Sequence, residues 1–91
     1  MTTHNLKIWP EFFKALVAGE KTYDIRKNDR TGGFQVGDTI FFLEWDSKNE
    51  RYTGHKIETK ITHVLHGGTH PPATDGLKAG YVALSFREEG E

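Results

Sequence analysis

Residues 55–65 alternate, with Ile57, Thr59, Ile61, His63 and Leu65 on one side and Lys56, Glu58, Lys60, Thr62 and Val64 on the other. A period of two predicts a half-buried antiparallel strand. The stretch 39–46, Thr-Ile-Phe-Phe-Leu-Glu-Trp-Asp, is apolar on both sides. Phe41, Leu43 and Trp45 oppose Ile40 and Phe42, which predicts a strand covered on both faces. Shorter alternating runs predict strands at 4–9, at 21–27 and at 80–87, the last led by Val82, Leu84 and Phe86. In 21–27, Tyr23 and Ile25 take one face and Thr22, Asp24 and Arg26 the other.

Only one segment has helical spacing. Phe13, Leu16 and Val17 fall at i, i+3 and i+4, with Phe12 beside them, and predict a helix over 10–18. Pro10 suits its first position, Glu11 suits its dipole, and Gly19 supplies its stop. A helix this short must dock on an apolar surface to persist. Polar stretches connect the elements: Asn28–Gly33, a hairpin loop at Ser47–Gly54, and a loop over 66–78. Phe34–Asp38 reads as a short extended piece that turns at Gly37-Asp38, and Glu88–Glu91 as a charged tail expected to fray.

The pattern is α+β: a small β-barrel of about five strands with one short N-terminal helix. Five strands in 91 residues must close, or nearly close, to hide their edges. The chain reads as a single domain, 1–91, with its core at about 4–87. Charged residues at 27% and hydrophobic residues at 35% fit a globular chain. The net charge of −1 excludes a uniformly basic nucleic-acid binder but not a local basic patch. With no cysteine there is neither a disulfide framework nor a thiolate metal site. No apolar run is long enough to cross a bilayer, so no membrane partner is expected and a cytoplasmic location is inferred.

The densest polar cluster runs from Gly19 to Lys27. Lys21 stands just past the helix end, and Thr22, Asp24 and Arg26 share one strand face. A point cation, a hydroxyl, a carboxylate and a guanidinium fork in one small area suit a phosphate or a planar polar ligand. On a solvated face, Asp24 and Arg26 would merely pair and contribute under about 1 kcal/mol.

The spacing Gly-x-Lys-x-x-acid-x-Arg, carried by Gly19, Lys21, Asp24 and Arg26, resembles the signature of the ASCH domain family. That family is similar to PUA domains and shares their small β-barrel. The preceding helix, Phe34-Gln35-Val36-Gly37-Asp38, Trp45-Asp46 and Gly80-Tyr81-Val82 fit the same pattern, so the likeness covers roughly residues 4–87. It lies nearest a short ASCH-like branch of bacteria and their phages. The resemblance implies RNA or nucleotide binding in a cleft beside the motif, with Gly19, Lys21, Thr22, Asp24 and Arg26 as ligand-binding residues. Some ASCH members hydrolyse the acetyl amide of acetylated cytidine, and others have been proposed as ribonucleases. In the amidohydrolases the motif lysine acts with a threonine at the acid's position and a later glutamate. Here Asp24 stands at that position. A catalytic reading would rest on Lys21, Thr22 and Asp24, with Glu44 or Glu58 as the further carboxylate.

A threonine nucleophile needs a neutral neighbouring base, and Asp24 keeps Lys21 charged. The residues therefore favour binding over hydrolysis. Lys21, Arg26, Lys27 and Arg30 add a basic run, and Lys56 and Lys60 could extend it into a groove. Trp9, Tyr23, Trp45, Tyr52 and Tyr81 are candidate stacking rings. In so small a domain Tyr23 and Trp45 are expected in the core, and Tyr52 at the surface. His63, His66 and His70 lie close in sequence but lack the spacing of a metal site, and no metal or cofactor is expected. The loop at 66–78 is expected to rim the cleft.

Overall fold

The computed structural model describes residues 1–89. Along the chain it places β1 (Thr3–Ile8), α1 (Pro10–Val17), β2 (Tyr23–Lys27), β3 (Thr39–Asp46), β4 (Arg51–His66) and β5 (Tyr81–Glu88). The strands form one sheet in the order β1-β3-β4-β5-β2. The β1–β3 pair is parallel and the other three are antiparallel. The sheet curls into a half-barrel and stays open, with β1 and β2 as its two edges.

Two irregularities bend the long strand and its partners, one between Leu43 and Trp45 and one between Ile61 and His63. Such bulges increase local twist and re-aim the side chains that follow. The second explains a departure from the alternation read above. Ile57, Thr59 and Ile61 are buried as expected, but beyond the bulge Val64 packs on the core and His63 lies exposed. The hairpin loop at 47–54 is also shorter than its polarity predicts. β4 begins at Arg51, and Asp46 accepts hydrogen bonds from Lys48 N, Asn49 N and Asn49 Nδ2 to close a tight turn. Phe34–Asp38 forms no strand. At the other end, Glu88 completes β5 and Glu89 N donates to the Glu58 carbonyl. These two residues of the expected tail are ordered, while Gly90 and Glu91 lie outside the described residues.

The core lines the concave side of the sheet: Leu6, Ile8, Ile40, Phe42, Ile57, Ile61, Val82, Leu84 and Phe86, with Phe34 from the connecting segment. Helix α1 buries Phe13 and Leu16 and leaves Phe12 and Val17 exposed. β3 buries Ile40 and Phe42 on its inner face and only half-buries Phe41, Leu43 and Trp45 on its outer face.

Asp38 is the polar anchor of this core. Its side chain is only 4% exposed. It accepts from Thr2 N at 3.1 Å, His4 Nε2 at 2.9 Å and Gln35 N at 3.0 Å. Its own carbonyl accepts from Ile61 N. One carboxylate thus ties the start of β1 to the head of β3, while the adjoining backbone reaches β4. Burial pushes the Asp38 carboxyl up, but the His4 hydrogen bond, the two backbone N–H donors and the His4 charge together hold it below the usual aspartate range.

The loop at 66–78 closes on itself and on β5. His70 N bonds Thr74 Oγ1, and Gly67 N donates to the Tyr81 carbonyl at 2.9 Å. A β carbon at Gly67 would collide with the backbone carbonyl oxygens of Leu77 and Lys78. Gly67→Ala is expected to lower stability by about 1–3 kcal/mol, as overpacking typically does, read by thermal denaturation.

Candidate functional site

The site lies in the gap between the two sheet edges. Lys7, Ile8 and Trp9 form one wall, Asp24, Ile25, Arg26 and Lys27 the other, and Phe12 closes an end. The groove encloses about 350 Å³. Arg26 bridges it, because Nη2 donates to the Lys7 carbonyl at 2.9 Å. A side chain thereby crosses where a closed barrel would have a backbone ladder.

Register explains which side chains enter the groove. Asp24 pairs with Leu84 and Arg26 with Val82. Directly opposed residues share a face, and Leu84 and Val82 are fully buried. Asp24 and Arg26 therefore turn inward, Asp24 to 8% exposure, while Tyr23 and Ile25 turn outward to 55% and 54%. This reverses the expectation that Tyr23 belongs to the core. A buried carboxylate is tolerated only with partners, and here it has two: Lys21 Nζ at 3.6 Å and the Arg26 guanidinium, which donates from Nε.

The helix end delivers Lys21. Gly19 adopts φ +77, a conformation that suits glycine, and the N–H groups of Glu20 and Lys21 both donate to the Ala15 carbonyl. The chain then turns so that the Lys21 ammonium stands 4.0 Å from the Tyr23 ring centre and 5.5 Å from that of Phe12. At the β1–α1 junction, the Trp9 carbonyl accepts from Phe12 N and Phe13 N, and the Trp9 and Phe12 rings stack with centres 6.4 Å apart.

Of the motif residues, Lys21, Asp24 and Arg26 come together. Gly19 shapes the approach, and Thr22 lies at the surface outside the groove walls. Thr22 instead accepts Phe86 N on its carbonyl, extending the β2–β5 ladder. Glu44 sits elsewhere, accepting from Thr53 Oγ1 at 2.7 Å and lying 3.1 Å from His55 Nδ1. Glu58 is exposed on β4. The wider basic face also separates: Arg30 lies over Phe34 and Lys56 over Phe41. The 66–78 loop contributes nothing to the groove walls, because its bonds hold it against β5. Among the described residues no group of three His, Asp or Glu side chains gathers to hold a metal ion. No helix there is long and apolar enough to cross a membrane.

Sequence reasoning missed Lys7, Trp9 as a groove wall, and Phe12. Lys7 is an ordinary polar position in an alternating strand. Only the parallel pairing of β1 with β3 and the curl toward β2 give it a role. Both Asp24 carboxylate oxygens are engaged, one by Lys21 and the other by Arg26, and among the described residues no hydroxyl nucleophile lines the groove. The arrangement suits binding of an anion beside a flat ring.

The family model described as Domain of unknown function (DUF3850) matches residues 3–86. The chain belongs to this family. It is also 34% identical over 61 residues to the "Uncharacterized 12.9 kDa protein in GpA 3'region" of Escherichia phage P2. That match covers 67% of this chain and 52% of the phage protein, so the chain spans about half the length of this relative.

Proposed function

We propose that this DUF3850 protein binds a nucleotide unit of RNA in the groove between β1 and β2. One observation carries the reading: the buried Asp24, in a groove walled by the exposed, stacked Trp9 and Phe12, holds Arg26 within it and Lys21 beside it. Around it Lys21, Arg26 and Lys27 oppose a single carboxylate, with the Lys7 ammonium just outside. That excess of cations attracts a phosphate. Arg26 spends Nε on Asp24 and one Nη2 hydrogen on the Lys7 carbonyl, which leaves further N–H donors for a ligand. Trp9 is 53% exposed and Phe12 43%, and flat apolar surface beside cations suits a base. The half-barrel with its single helix also supports the likeness to ASCH and PUA-like barrels drawn from the motif spacing.

The test is a titration of a short single-stranded RNA at two salt concentrations, with hydrolysis of acetylated cytidine assayed alongside. Binding is expected to weaken with salt. Lys21→Ala is expected to lower affinity on the order of tenfold and reduce the salt slope by about one. Turnover that vanishes in Lys21→Ala would instead make the protein a hydrolase. Salt-independent binding, or none, would overturn the proposal.

A further inference from the structure

The groove does not end at Lys7. The Lys7 ammonium leaves it to stand 3.9 Å from the ring centre of Trp45 and 6.0 Å from that of Tyr52. Those two rings meet edge to face, with centres 4.9 Å apart and planes at 73°. Trp45 is half-buried and pairs with Tyr52 across β3 and β4. Tyr52 is 51% exposed. The pair sits on the outer face beyond the β1 wall, so Lys7 links two ring platforms, Trp9 with Phe12 on one side and Trp45 with Tyr52 on the other. Of the carboxylates that flank this path, Asp24 is engaged by Lys21 and Arg26, and Asp46 by Asn49 and the Lys48 N–H.

Nothing in the core accounts for this surface. Tyr52 fills no cavity, and Lys7 on an edge strand needs no ring to be solvated. A row of cations with rings to either side is the chemistry that tracks a single strand, because phosphates follow the charges and every base offers a face to stack. A duplex hides those faces.

We infer that Trp45 and Tyr52 form a second base-stacking subsite, joined to the groove through Lys7, so that the ligand is a single strand of at least two nucleotides. This inference rests on the nucleotide-binding reading of the groove and extends it along the surface. The Trp45 ring is fixed by its neighbours, whereas Tyr52 is free enough to be removed without touching the core, which makes Tyr52 the residue to vary.

The experiment compares uridine monophosphate with a six-residue oligouridylate, and with a duplex of the same length, on the intact chain. The single strand is expected to bind at least tenfold more tightly than the monophosphate. Tyr52→Ala should weaken the single strand on the order of tenfold, the usual scale for losing one stacked base. It should leave the monophosphate unchanged, and Tyr52→Phe should bind as the parent does. The second subsite is overturned, with the groove reading intact, if the monophosphate binds but the single strand binds no better. The same holds if Tyr52→Ala leaves single-strand affinity unaltered, or if the duplex binds as tightly as the single strand. Failure of every probe to bind overturns both readings together.

Discussion

Arg26→Ala is expected to weaken nucleotide binding by about 10- to 100-fold and to flatten its salt dependence. The range follows from losing one charge-assisted contact, which is worth about 1.5–3 kcal/mol. Two effects add. The variant lacks the donor fork for a phosphate, and it also lacks the Nη2–Lys7 carbonyl bond that spans the groove. Arg26→Lys separates them. A lysine keeps the charge and the salt slope but cannot donate to Asp24, to Lys7 and to a ligand at once, so affinity should be only partly restored. Isothermal titration of both variants at two salt concentrations reads the difference. Full affinity in Arg26→Ala would show that the groove is not where the nucleotide sits.

Asp38→Asn is expected to cost about 2–3 kcal/mol at neutral pH, measured by chemical denaturation. The amide cannot accept from Thr2, His4 and Gln35 with the strength of a carboxylate, and its own N–H group would face backbone donors in a buried site. The effect depends on pH. Because the folded carboxyl sits below its ordinary value of 3.8, its contribution is fully present from about pH 5 upward. That contribution disappears as pH falls through the lower folded value. The gap between parent and Asp38→Asn should therefore narrow in acid and stay level from pH 5 to 7. A gap that stayed constant down to pH 2 would mean that Asp38 acts through shape alone.

The sheet was legible where a strand's apolar run is unbroken, even though its outer face is only half-buried. Residues 39–46 carry apolar groups on either side, and the predicted bounds match β3 to the residue. The helix was legible from Phe13 and Leu16, the two side chains it buries. Polarity misled at Tyr52 and Thr53, because an exposed strand end and a loop have the same composition. On β2, Tyr23 was expected in the core and lies outside. Two apolar residues point to a core only if the inner face offers no better partner, and here Lys21 and Arg26 made burial of Asp24 the better solution. The motif spacing found Asp24 and Arg26 in the groove, and Lys21 beside it, because they are neighbours in the chain. Lys7 escaped, and Trp9 was read only as a candidate stacking ring, because their place in the groove depends on strand order, which alternation does not encode. Asp38 read as part of a turn, since its partners Thr2 and His4 lie far off in sequence.

The position of the groove has a mechanical consequence. β1 and β2 are near neighbours along the chain, joined only through α1, yet they are the first and last strands of the sheet. The site therefore exists only while the whole sheet stays rolled, and any loosening in β3, β4 or β5 pulls its lips apart. A ligand gripping both lips works as a drawstring. Its binding energy is spread over every strand pair between them, and the entire sheet should exchange its amide hydrogens more slowly when the groove is filled, by the factor that ligand concentration over Kd dictates.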